Sequence, residues 1–203
     1  MSLTLTHFIA FNLTLLAAIA MPGPSLLFIT RTALAHGRAA GVAAGLGLAL
    51  MAALWSLAAL FGLQTLFALF PWAFVAMKTA GALYLLWIAV QTWRHAAEPL
   101  GAAPPVSNGH FFFSGLLINL ANPKAVLFAG AVLVVIFPPA LTTAEKSLIF
   151  ANHLAVEALV QPVLAILLST NAVRRRYLGL KPIFDRIAAA VLGALGLRLL
   201  LDR

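Results

Sequence analysis

The stretch Ala20-Met21-Pro22-Gly23-Pro24-Ser25-Leu26 decides the reading of this chain, because it interrupts an apolar run extending from about residue 5 to residue 29. Proline removes a backbone donor and clashes with the preceding turn, which costs an ordinary helix about 3 kcal/mol. A second interruption, Asn122-Pro123-Lys124, follows about one hundred residues later inside another apolar run, roughly 111–137. Backbone freed at membrane depth persists only where protein or a water-lined cavity satisfies it. Paired breaks in corresponding halves therefore predict a binding site near the bilayer midplane.

Outward from these breaks, composition fixes the class. With 63% hydrophobic residues, 9% charged residues and a mean hydropathy of +1.04, the chain cannot present a water-facing surface all round. Six apolar runs, roughly 5–29, 39–63, 71–92, 111–137, 147–169 and 183–201, give six transmembrane helices at about 20 residues each. The absence of cysteine excludes disulfides, thiolate metal sites and CxxC redox chemistry. No cofactor and no metal are expected.

A net charge of +8 would suggest nucleic acid in a soluble protein, but here the basic residues gather at the ends of apolar runs. Arg31 and Arg38 fall in the first connection, Arg94 in the third, and Arg174, Arg175, Arg176 and Lys181 in the fifth. The second connection, Gln64 to Phe70, has no charge, and the fourth has Lys146 as its only basic residue. By the positive-inside rule the odd connections are cytoplasmic, placing both termini on the outer face of the cytoplasmic (inner) membrane. Ala18-Ile19-Ala20 resembles a signal-peptide cleavage site, yet Met1 to His7 lacks the basic start such a peptide needs.

The one obvious linker is residues 94–110, which carries Glu98, Pro99, Gly101, Pro104 and Pro105. It divides a single membrane domain, 1–203, into a first three-helix repeat, 1–93, and a second, 111–203. An odd number of spans per half makes the halves enter from opposite sides, an inverted pair related by an axis in the membrane plane. Pro22 to Phe28 can be laid over Asn122 to Phe128 in support.

Several segments, in this order and spacing, carry a family likeness. They are Pro22-Gly23-Pro24; Gly37-Arg38-Ala39-Ala40-Gly41 with Gly45 and Gly47; Lys78-Thr79-Ala80-Gly81-Ala82-Leu83-Tyr84; Asn119 with Asn122-Pro123-Lys124-Ala125; and Leu192-Gly193-Ala194-Leu195-Gly196. Nearly end to end, the chain resembles the lysine exporter and homoserine/threonine resistance group of amino-acid exporters, LysE/RhtB. The resemblance implies six membrane helices built on an inverted repeat, and efflux of amino acids or related small metabolites.

A zwitterionic substrate needs donors for its carboxylate and acceptors for its ammonium, and the two ends of a broken helix supply both without a full charge in lipid. On this reading Pro22, Gly23, Pro24 and Ser25 face the cavity together with Asn119, Asn122 and Pro123, and Lys124 pairs with the substrate carboxylate. The alternative is that the prolines only kink helices for packing. Lys78 and Tyr84 are weaker candidates for the path, since lysine stems snorkel and tyrosines anchor at interfaces. Asn12 either meets substrate or bonds across helices.

Glu157 is the only carboxylate well inside a span, and His153 and Gln161 stand one turn to either side of it on one helical stripe. Such a stripe suits proton coupling, with a structural role in packing as the alternative. Gly41 and Gly45 mark a close-packing face, either within one protomer or between the copies of a homodimer, and Trp55, Trp72, Trp87 and Trp93 read as interface anchors or packing.

An enzyme is not expected: no GxSxG, HExxH or GxxxxGK[ST] motif is present, and Ser25 with His153 is the only conceivable nucleophile pair. Without an ATP-binding motif, transport draws on an ion gradient or on the substrate's own gradient. The expected partners are therefore a small-molecule substrate, protons and membrane lipid. The expected function is a secondary exporter by proton antiport with alternating access; a passive channel or uniporter is the alternative.

Overall fold

The computed structural model describes residues 3–21, 23–98 and 109–201, with the side chains of 24, 63–68, 71, 74, 77, 123, 124, 127 and 199 outside that description. Every secondary-structure element among the described residues is an α-helix: α1 (Leu5–Ala20), α2 (Pro24–His36), α3 (Arg38–Leu69), α4 (Pro71–Arg94), α5 (Phe111–Leu120), α6 (Pro123–Ile136), α7 (Thr143–Leu167), α8 (Asn171–Gly179) and α9 (Lys181–Leu201). Two of them, over Arg38–Gly62 and Thr143–Leu167, are each long and apolar enough to cross a membrane, and the α1–α2 pair, bent by 56°, is long and apolar enough for a third if its two helices form one span.

Helix ends follow local chemistry. α7 starts four residues before its apolar run because Thr142 accepts from the Glu145 amide while Glu145 bonds back to the Thr142 amide, a capping box. α3 runs to Leu69, so the expected connection from Gln64 to Phe70 shrinks to Phe70 alone. Nothing in that stretch breaks a helix until Pro71, which takes the first turn of α4. The fifth connection, read as a loop, contains the basic helix α8.

α7 shows the inversion that lipid imposes. Its buried residues are Lys146, Ile149, His153, Glu157, Gln161 and Ala165, at helical spacing, whereas Leu148, Leu159, Val163 and Ile166 are exposed. A helix in water would do the reverse. α3 lies centrally, packed on α7, α5 and α2, and α4 pairs with α9. Close approach of α3 to α5 depends on two glycines: a Cβ on Gly47 would collide with the Phe112 carbonyl, and one on Gly115 with the Ala44 carbonyl. Gly41 meets Ala33 of α2 and Gly45 meets Gln161 of α7, so this small-residue face is used within one protomer.

Candidate functional site

Both breaks share one plan. α1 stops at Ala20, Gly23 caps α2 in extended conformation (φ −153°, ψ −173°), and Pro24 opens α2, where a missing amide hydrogen costs little. α5 stops at Leu120, Ala121 and Asn122 turn, and Pro123 opens α6. These prolines restart helices rather than kink continuous ones. Pro22, and the side chains of Pro24, Pro123 and Lys124, lie outside the described residues; the Lys124 backbone belongs to the first turn of α6.

The two breaks meet. Asn122 Nδ2 lies 3.5 Å from Ser25 Oγ, at the limit of hydrogen-bonding reach. A cavity of about 120 Å³ opens beside them, walled by residues of α1, α2, α3, α5, α6 and α7 that include Gly23, Ser25, Asn119, Asn122, His153, Glu157 and Gln161. Ser25 and Leu26 in the first turn of α2 and Ala125 in the first turn of α6 line this wall, so the positive dipole ends of both helices lie beside it, which favours an anionic group. Glu157, the one carboxylate among the described lining residues, favours a cationic group.

Asn119 holds α5 in place more than it offers an open amide. Its Nδ2 donates to the Leu48 carbonyl of α3 at 2.7 Å. Its own carbonyl would ordinarily accept from the amide four residues on, but that residue is Pro123. Trp55 Nε1 at 3.4 Å and the Asn122 amide at 3.2 Å reach it instead. Trp55 is thus a helix-end donor rather than an interface anchor.

The α7 wall is a connected polar row. Gln161 Nε2 donates to Glu157 Oε2 at 2.9 Å, and His153 Nε2 faces Glu157 Oε1 at 3.7 Å. On its other side His153 Nδ1 is 2.7 Å from Ser56 Oγ of α3, and the Phe11 ring meets the imidazole edge-on at 5.4 Å. Ser56 was not singled out in the sequence, although it is the lone hydroxyl in the run 39–63. With Nδ1 engaged by Ser56 and Nε2 turned to Glu157, His153 is not arranged as a base for Ser25.

Lys78 and Tyr84 do not line the cavity. They sit on α4, which packs chiefly on α9 and α6, and Tyr84 stacks on Trp87 at 5.9 Å. Asn12 bonds reciprocally with Asn152, at 2.8 and 3.3 Å, tying α1 to α7 outside the cavity wall. Among the described residues no group of three or more histidines and carboxylates stands close enough to hold a metal ion.

Broken helices around a solute-sized cavity, apolar over most of its wall with one polar side, in a bundle that buries polar residues and exposes leucines, define a multi-pass membrane protein. The LysE type translocator family matches residues 16–203, and the chain belongs to that family of transporters. It is 30% identical over 194 residues to the threonine efflux protein of Escherichia coli (strain K12), covering 93% of this chain and 94% of that one. It is 33% identical over 185 residues to the uncharacterized membrane protein YahN of the same strain, covering 89% and 83%. It is 32% identical over 131 residues to the homoserine/homoserine lactone efflux protein of Salmonella typhimurium, covering 64% of each. No solved structure matches the chain.

Proposed function

We propose that this protein exports a small amino acid across the cytoplasmic membrane by proton antiport with alternating access, its six spans forming two inverted three-helix repeats with both termini outside. The observation that carries the reading is the meeting of the two helix breaks at a cavity whose polar side bears a carboxylate. The family membership and the efflux relatives support the same substrate class.

In this proposal Pro22, Gly23, Pro24 and Ser25 at one break, and Asn122, Pro123 and Lys124 at the other, bind the substrate carboxylate through helix-start amides and the lysine. Asn119 holds the second break in register. Glu157 exchanges the proton, with His153 and Gln161 as its supporting donors. The proposed site leaves out Lys78 and Tyr84.

Inverted membrane vesicles with an acidic lumen test the reading. Uphill accumulation of L-threonine or L-homoserine, collapsed by a protonophore, is expected. Equilibration without accumulation would favour a uniporter or channel, and no movement of any common amino acid would remove the exporter reading.

A further inference from the structure

Ser56 lies one layer behind the cavity wall, fully buried on α3, with the His153 imidazole between it and Glu157. His153 is buried as well, and its Nε2 has no hydrogen-bond partner. An imidazole with both ring nitrogens inside protein must choose where to keep its single proton, and the neighbours of each nitrogen decide. At 3.7 Å from a Glu157 oxygen, an N–H is attracted and a bare lone pair is repelled. That preference holds for the carboxylate and, more weakly, for the neutral carboxyl, which still offers an oxygen lone pair. Nδ1 is then the bare nitrogen, and it needs a donor. The Ser56 hydroxyl, at 2.7 Å, is that donor.

We infer that Ser56 is a positioning residue: by donating to Nδ1 it fixes His153 in the tautomer that presents its Nε2–H to Glu157. This rests on the proposed role of Glu157 as the proton-exchanging group. When a proton arrives from the cavity it adds to a Glu157 oxygen, and when it leaves that same O–H bond breaks. The Nε2–H of His153 and the Gln161 amide face the two carboxylate oxygens and support the ionised form. The charged and titratable surroundings are sparse enough for one hydroxyl to decide the outcome. α1 contributes the Phe11 ring and the neutral Asn12, and α3 contributes Ser56. α7 contributes Glu157 and, two turns away, Lys146, whose ammonium sits over the Phe61 ring at 4.5 Å. The Lys124 side chain lies outside the described residues.

Nitrogen-15 NMR of the full chain labelled at histidine, in lipid nanodiscs, reads the tautomer directly, with the His153 signals assigned by their loss in His153→Gln. The wild type and Ser56→Thr should show the Nε2–H form at mildly alkaline pH, and Ser56→Ala a mixed or reversed population. In the same variant the pH profile of L-threonine exchange should differ from that of the wild type, because the carboxylate loses a fixed donor. Rescue by Ser56→Thr would separate the hydroxyl from mere packing. An Nε2–H signal and pH profile unchanged in Ser56→Ala would overturn the inference, as would an Nδ1–H signal in the wild type. Failure of the antiport reading appears separately, as absence of gradient-driven uptake in the wild type, and leaves the tautomer result standing.

Discussion

Tyr177 and Ala20, far apart in sequence, are joined by a hydrogen bond of 2.8 Å from the phenol to the carbonyl. The bond falls on the carbonyl that would have accepted from residue 24, and residue 24 is proline. Trp55 stands in the same relation to Asn119 and Pro123 at the other break. Each interrupted helix thus has a carbonyl that loses its usual donor to the proline four residues on, and each is met by an aromatic donor from another helix. Removing either donor should cost about 1 kcal/mol, the net worth of one hydrogen bond. Tyr177→Phe and Trp55→Phe are expected to lower the thermal unfolding midpoint in detergent, each independently of the other. An unchanged midpoint in both would mean that water serves those carbonyls equally well.

Tyr177 also gives a spectroscopic handle. Burial, and then the Asp185 carboxylate, push its phenol up to about 12. The neutral form is therefore the one the fold favours: its stabilising contribution is full below the unfolded value of about 10 and is lost as pH rises from there through about 12. The chain has two tyrosines, so Tyr84→Phe leaves a single phenol to follow by phenolate absorbance. A titration midpoint near 10 in the folded protein would show that Tyr177 is solvated and the contact with Ala20 transient.

The site itself is tested by separating binding from coupling. Lys124→Ala is expected to abolish efflux while leaving membrane insertion normal, and unchanged efflux would take that lysine out of the site. Glu157→Gln keeps an amide where the carboxylate accepts from Gln161, and leaves no group to ionise. It should retain substrate exchange and lose acceleration by a pH gradient. Gradient-driven uptake equal to wild type would assign Glu157 to packing.

The positions of both breaks and the buried stripe of α7 were legible in the sequence, because proline chemistry and helical spacing are local. Trp55 and Ser56 were not, since their roles depend on which helix lies opposite. The deficit that Trp55 fills arises at Pro123, and the nitrogen that Ser56 meets belongs to His153. That Lys78 and Tyr84 lie away from the cavity was hidden for the same reason: a motif on α4 says nothing of whether α4 borders it. The end of α3 was misjudged because Gln64 and Thr65 look polar but do not break a helix.

Glycine substitutions separate packing from propensity on one helix. Gly47→Ala should destabilise by at least about 1–3 kcal/mol, because its Cβ meets the α5 backbone at Phe112 and Leu116, which cannot rotate away. Gly62→Ala, also on α3 but with nothing within 4 Å, should gain about 0.5–1 kcal/mol from helix propensity. Opposite shifts in unfolding midpoint are expected. A tolerated Gly47→Ala would mean that α3 and α5 can separate without loss.

Lys181 and Asp185 close the cytoplasmic corner in the proposed orientation. The lysine ammonium bonds Asp185 Oδ2 at 2.7 Å and the His95 and Ala96 carbonyls at 3.0 Å each, so one side chain neutralises a buried carboxylate and fastens the end of α4. Asp185 Oδ1 is buried without a partner, which makes the aspartate dependent on this single cation. Lys181→Met should therefore destabilise by about 3–5 kcal/mol, the cost of leaving a buried charge uncompensated. Adding Asp185→Leu should recover part of the loss and not all of it, since the α4 carbonyls remain without their donor. Unfolding midpoints of the two variants measure the division. If the double variant is no more stable than Lys181→Met alone, the lysine acts through α4, and the ion pair contributes nothing beyond it.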